Sequence, residues 1–293
     1  MMTFPGLNAL PPLVALEKGF FDRHGIEVEI LFAPSSSAQR DGLVRGEYQL
    51  IHTSADNSVA LVEERRADAV VVMGGDDAFN RIVAQADLAS VADLRGRTVA
   101  VDSPHTAFAL LLYRALREAG LKAGDYDVRP VGGTAERVRA MIEDRSNAAA
   151  VLGPPFTFEA EDAGLKDLGA VPTDHSAAVV VMRDWAAANR AAVVRYLKGV
   201  IEGRRWLLDR TNKDEAVDFL GERLRLSPDT ARRSYALLTD PHTGFIADAR
   251  FNAEGFRNVL DLRAETYEPW RGKAPDPERY IDLSYYETAL SGL

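Results

Sequence analysis

A run of aliphatic residues that stops abruptly at a small or polar residue, followed by a stretch with helical spacing, recurs along the first half of this chain. No other feature limits its folds as much. "IEVEILFA" (residues 26–33) alternates apolar and polar side chains as a strand does, and gives way to "SSSAQRDGLVRGE", a helix with serine caps that ends near Gly46. "YQLIHTSA" (48–55) leads into helical "DNSVALVEERRA", and "DAVVVMGG" (68–75) is an apolar run of the kind buried on both faces. Strand, helix, strand in this order predicts a parallel sheet with right-handed crossovers. Ahead of it, "PPLVALEKGFFDRHG" (11–25) predicts one short helix with a proline start and a glycine exit at Gly25.

A second unit of the same kind begins near residue 81. Strand "RTVAVD" (97–102) precedes an amphipathic helix from Thr106 to Ala119 closed by Gly120; strand "YDVRPVGG" precedes helix "TAERVRAMIEDRS"; strands "AAAVLGPP" and "AAVVVM" (177–182) follow. Helices are expected at 185–209, 214–224, 228–238 and 252–267, and no solenoid repeat is present.

In an open parallel sheet, ligands bind outside the carboxyl ends of the strands, where helix N-termini offer free N–H groups. The candidate site residues are therefore those of the strand-end loops. They are Pro5, Gly6 and Asn8 in the first loop, Ser36 and Ser37 in the second, and His52, Thr53 and Asp56 in the third. Gly75 follows the next strand; Ser103, His105 and Thr106 open a helix; Gly133 and Thr134 open another; Pro154 closes the set. His52 and His105 are the candidate bases or ligand contacts, since neither imidazole is needed for capping. Asp56 with Asn57 is expected to cap the helix it begins, its carboxylate at the cleft rim. Asp76 and Asp77 read as a solvated turn.

Composition removes several function classes. Net charge is −9 with no basic block, so nucleic acid is not an expected partner. The absence of cysteine removes disulfides, thiolate nucleophiles and Cys-ligated metals, and no His or carboxylate spacing proposes a metal site or cofactor. No apolar run approaches a membrane span. "MMTFPGLN" has neither the basic nor the apolar segment of a signal peptide.

The segments "NALPPLVALEKGFFDRHGIEVEI", "SSSAQRDGLVRGEYQL", "ADNSVA", "DLRGRTVAVD" and "RDWAAANRAAVVRYLKGVIEGRRWL" resemble, in order and spacing, the nitrate/sulfonate/taurine and pyrimidine-precursor branch of ABC-transporter substrate-binding proteins. The resemblance implies a two-lobed α/β fold, the type II periplasmic binding protein, each lobe a mostly parallel sheet flanked by helices. Lobe one would hold residues 1–80 and 181–293 and lobe two residues 81–180, with hinge crossings near Ile82–Ala84 and Val179–Met182. It also implies a monomer that closes on a small-molecule ligand such as a sulfonate, an aromatic acid or a pyrimidine, with Phe79 or Phe156 as an aromatic wall. An ABC permease is the implied partner if the chain is exported, and the setting is then periplasmic or extracytoplasmic; the missing leader keeps a cytoplasmic setting open. The family's frequent Gly-x-x-Asp reads Gly46-Glu47-Tyr48-Gln49 here. The same fold carries enzymes. A desulfinase and the yeast-type pyrimidine synthase rely on cysteine, which this chain lacks, so the alternative is a cofactor-free lyase or hydrolase using His52 or His105 as base.

Overall fold

The computed structural model describes residues 1–75, 79–171, 177–241, 244–265 and 267–293. The chain opens with strand β1 (Met2–Thr3), helices α1 (Leu10–Glu17) and α2 (Phe20–Arg23), β2 (Leu31–Phe32), α3 (Ser36–Arg45), β3 (Leu50–Ser54), α4 (Asp56–Arg65) and β4 (Ala69–Gly74). It then crosses to β5 (Arg81–Ala84), β6 (Thr98–Val101), α5 (Ala107–Glu118), β7 (Asp127–Pro130), α6 (Thr134–Glu143), β8 (Asn147–Leu152), α7 (Phe156–Asp162) and β9 (Lys166–Ala170). It returns through β10 (Ala177–Met182) and ends in α8 (Arg183–Ala188), α9 (Arg190–Leu208), α10 (Lys213–Leu224), α11 (Pro228–Leu238), α12 (Ala253–Ala264) and α13 (Ser284–Ser291).

Two sheets result, one ordered β2-β1-β3-β10-β4 and the other β7-β6-β8-β5-β9. Each is mixed rather than simply parallel: β10 pairs antiparallel with β3 and β4, and β5 pairs antiparallel with β8 and β9. The other pairings, β1 with β2 and β3, and β6 with β7 and β8, are parallel. The reversed strand in each sheet is the first one laid down after a crossing. Ile82–Ala84 lies inside β5 and Val179–Met182 inside β10. Asp76 and Asp77, between β4 and β5, fall outside the described residues.

Other departures have local causes. The expected single N-terminal helix is broken in two, because Gly19 adopts a left-handed conformation (φ 68°) that ends one helix and starts the next. The alternating run 26–33 yields only the two residues of β2, since its partner β1 offers only Met2 and Thr3 to pair with. β9 and α7 were not evident: "KDLGA" is an edge strand with no buried residue and so carries no clean alternation.

The larger core joins both helical ends of the chain to the first sheet, with Leu10 and Val14 of α1 and Val193, Leu197 and Val200 of α9 fully or almost fully buried. α9 approaches α1 so closely that a Cβ on Gly203 would stand 2.2 Å from the Pro11 carbonyl oxygen, whereas one on Gly221 of α10 would meet nothing nearer than 3.8 Å. The two glycines should therefore respond with opposite sign. Gly221→Ala is expected to gain about 0.5–1 kcal/mol from helix propensity, and Gly203→Ala to lose about 1–3 kcal/mol by overpacking, read by urea denaturation.

Candidate functional site

The reversed strands have a geometric consequence. β1, β3 and β4 run toward the second sheet, β6, β7 and β8 run toward the first, and the carboxyl ends of both sets meet across one cavity of about 120 Å³. That volume takes several waters or a small organic molecule.

From the first sheet the wall is built by Pro5, Gly6 and Asn8 after β1, by Ser36 at the start of α3, and by His52 and Thr53 at the end of β3. Gly75 closes this side. Facing them are Gly133 and Thr134 at the N-terminus of α6, and Pro154 after β8. Phe79 and Phe156 both stand in the wall, joined by Phe4, Phe108 and Met73.

Five of the residues chosen from sequence lie elsewhere. Ser37 is turned along α3, its hydroxyl 3.5 Å from Arg40. Asp56 does not cap its own helix and does not reach the cleft rim. It is buried, pairs with Arg263 of α12 at 2.8 Å, and accepts the Ala107 N–H at 3.0 Å, so it caps α5 of the opposite lobe. A carboxylate there also sits at the positive end of the α5 dipole. Thr106 is the N-cap of α5 and donates its hydroxyl proton to Asp102 at 2.5 Å. Ser103 contributes its carbonyl to that turn. The His105 side chain is exposed, and its carbonyl accepts a hydrogen bond from Arg263 at 3.2 Å.

The site contains charged groups that sequence reasoning passed over. Arg137 of α6 and Arg204 of α9 are both buried and both line the cavity, with Asp102 beside them. Arg137 donates to the Gly132 carbonyl (2.7 Å), the Val151 carbonyl (3.1 Å) and Thr134 Oγ1 (3.1 Å), and lies 4.0 Å from Asp102. Burial lowers its pKa, and Asp102 and Glu136 act against that shift. Arg204 donates to the Gly75 and Ile246 carbonyls and stacks 4.4 Å from the Phe245 ring. Both had a signal in the sequence. Arg137 lies three residues after Thr134 and so on the same helix face, and Arg204 occupies a position in the apolar stripe Val193, Leu197, Val200, Leu207.

Hydrogen bonds link the lobes at this seam. Ser36 Oγ donates to Asp102 Oδ2 at 3.2 Å, and the Ala107 N–H donates to Asp56. Asp102 was missed by one position, since Ser103 was chosen instead.

His52 sits on the cavity wall with its Nε2 2.8 Å from the Tyr196 hydroxyl. Burial, then the nearby charges of Arg204 and the N-terminal amine, push its pKa down from 6.5 to about 3. The imidazole is neutral at physiological pH, and its lowered pKa makes it a weaker base than a free histidine.

A model of the NMT1-like family matches residues 2–221. The chain belongs to the NMT1-like family. No curated protein matches it in sequence. This NMT1-like chain is similar in fold to solved structures of several kinds. One is the periplasmic nitrate-binding protein NrtA from Synechocystis PCC 6803, with TM-score 0.77 and 17% identity over 100% of this chain and 88% of that one. Another is the alkanesulfonate-binding protein SsuA from Xanthomonas axonopodis pv. citri bound to MOPS, with TM-score 0.75 and 15% identity over 96% of each chain. The desulfurization enzyme DSZB has TM-score 0.70 and 13% identity over 100% of this chain and 99% of that one. Among the described residues, no helix is long and apolar enough to cross a membrane.

The His52 shift sets a pH dependence. The folded chain leaves His52 unprotonated down to about pH 3, whereas the unfolded chain binds that proton below about 6.5. His52 therefore contributes stability that is fully present above pH 6.5 and is lost progressively as pH falls toward 3. Urea denaturation from pH 7.5 to 4.5 should show a shallower decline in His52→Gln than in the unaltered chain. Equal slopes would place the imidazole in a solvated setting.

Proposed function

We propose that the chain is the solute-binding component of an ABC import system and that it closes on a small organic anion between its lobes. The observation that carries this reading is the cavity where the strand ends of two lobes meet, joined by cross-lobe hydrogen bonds and lined, among the described residues, by the guanidinium groups of Arg137 and Arg204 and the carboxylate of Asp102. The N-terminus of α6, with no side-chain cap, adds backbone donors on the same wall. Structures of similar fold are described as binding nitrate and alkanesulfonate, and Phe79, Phe108 and Phe156 supply an apolar wall for an organic tail.

By this reading the lobes are residues 1–80 with 177–293, and residues 81–171. The second boundary moves from 181 to keep β10 whole. The partner is a permease, the setting extracytoplasmic, and the chain acts as a monomer. Two observations favour this reading over the enzyme alternative: the His52 pKa is pushed down to about 3, and His105 is exposed outside the cavity.

Thermal unfolding of the purified chain with nitrate, ethanesulfonate, MOPS and choline tests this. At least one of the three anionic probes should raise Tm and choline should not, a probe at a hundredfold its Kd adding about 2.7 kcal/mol. The bound probe should be recovered unchanged by mass spectrometry. A Tm insensitive to all three anions, or conversion of a probe, would overturn the reading.

A further inference from the structure

Behind the first lobe's wall lies a buried arginine that touches no part of the cavity. Arg40 of α3 is 7% exposed, and its Nη1 donates to Asn57 Oδ1 at 2.5 Å. Asn57 Nδ2 in turn donates to Thr53 Oγ1 at 2.5 Å. Asn57 and Thr53 line the cavity; Arg40 does not.

The order of these bonds fixes proton positions. A guanidinium has donors and no acceptor, so it can face only the oxygen of the Asn57 carboxamide. That turns the Asn57 NH₂, which is donor only, onto Thr53. With an oxygen lone pair of Thr53 taken by this N–H, the single hydroxyl proton of Thr53 must find its acceptor elsewhere. None of the described residues accepts it. Ser36 is set the opposite way, since its proton is committed to the Asp102 carboxylate.

We infer that Arg40 is a positioning residue that, through Asn57, orients the Thr53 hydroxyl as a hydrogen-bond donor into the cavity, so that this wall selects a solute presenting an acceptor oxygen there. The relay explains why a cation is buried beside a neutral amide. Two carboxylates, Asp56 and Glu64, support its charge, while Arg65 and Arg263 act against it. The selection is between acceptor and donor at one point of the solute, a distinction that net charge in the cavity does not make.

Neutron diffraction from deuterium-exchanged crystals of the unaltered, unliganded protein reads the inference directly. The Thr53 deuteron should point into the cavity and the Asn57 oxygen toward Arg40. A Thr53 deuteron directed at Asn57 would overturn it.

Titration calorimetry with ethanesulfonate supplies a second arm, which rests on the solute-binding reading. Thr53→Ser and Arg40→Lys, which keep the donors, should bind within about twofold of the unaltered chain, and Thr53→Val about tenfold or more weaker. Arg40→Met should weaken binding about threefold to tenfold, and Arg40→Met combined with Thr53→Val should be no weaker than Thr53→Val alone. Losses that simply multiply would mean that Arg40 only supports the fold, and would overturn the relay. If ethanesulfonate fails to bind the unaltered chain, the same titrations are run with whichever of nitrate or MOPS raises Tm; if none of the three binds, the solute-binding reading is at fault and the deuteron position decides the inference by itself. Because diffraction uses the unaltered chain, it holds even where Arg40→Met does not fold.

Discussion

Each passage of the chain between sheets begins at a strand's carboxyl end and arrives at the carboxyl edge of the other sheet. The first strand laid down there has only one way to run, away from the cleft and against its neighbours. β5 and β10 are those strands, and their antiparallel pairing is what makes the two sheets face each other. Had either crossing entered at the far edge, the strand ends of the two lobes would point the same way and no shared cavity would form. The position of every wall residue depends on this reversal.

Polar groups bridge the seam between the lobes. Asp56 reaches out of the first lobe to cap α5 of the second, and Arg263 bonds both Asp56 and the His105 carbonyl. Arg263 is also paired with Glu64. The apolar contribution is a small cluster of Leu110 and Leu111 against Leu262. Buried ion pairs of this kind are costly to desolvate and lose much when a partner is removed, so they define a geometry more than they add stability.

Inside the cavity, burial has shaped each titratable group differently. It lowers the pKa of His52, raises that of Tyr196, and lowers that of Arg137, a shift that Asp102 and Glu136 counteract. The wall thus combines neutral polar groups with buried cations, where a hydrogen bond is electrostatically stronger than in bulk solvent.

The order of strands and helices, the helix caps and the strand-end loops were legible in the sequence, because they follow from local rules. Hydrophobic period, capping residues and glycine stops act over a few positions, so "DAVVVMGG" is a buried strand and Thr106 a cap wherever the fold places them. The same rules led to Pro5, Gly6, Asn8, Ser36, His52, Thr53, Gly133, Thr134 and Pro154, all on the cavity wall. They also led to Ser37, Asp56, Ser103, His105 and Thr106, which are not, since a strand-end loop has one side toward the cleft and another away from it. Which side a residue takes is set by the neighbouring lobe. Asp56 left its own helix to cap α5, more than fifty residues further on, and nothing within "ADNSVA" records that partner. Arg137, Arg204 and Arg40 show the same division. Spacing alone put the first two on buried helix faces, but only the packing of α6, α9 and α3 around one cavity decided that Arg137 and Arg204 line it and that Arg40 lies behind its wall. Local sequence determines the elements and their ends; long-range contacts, being sums over residues distant in the chain, determine which of those ends become the site.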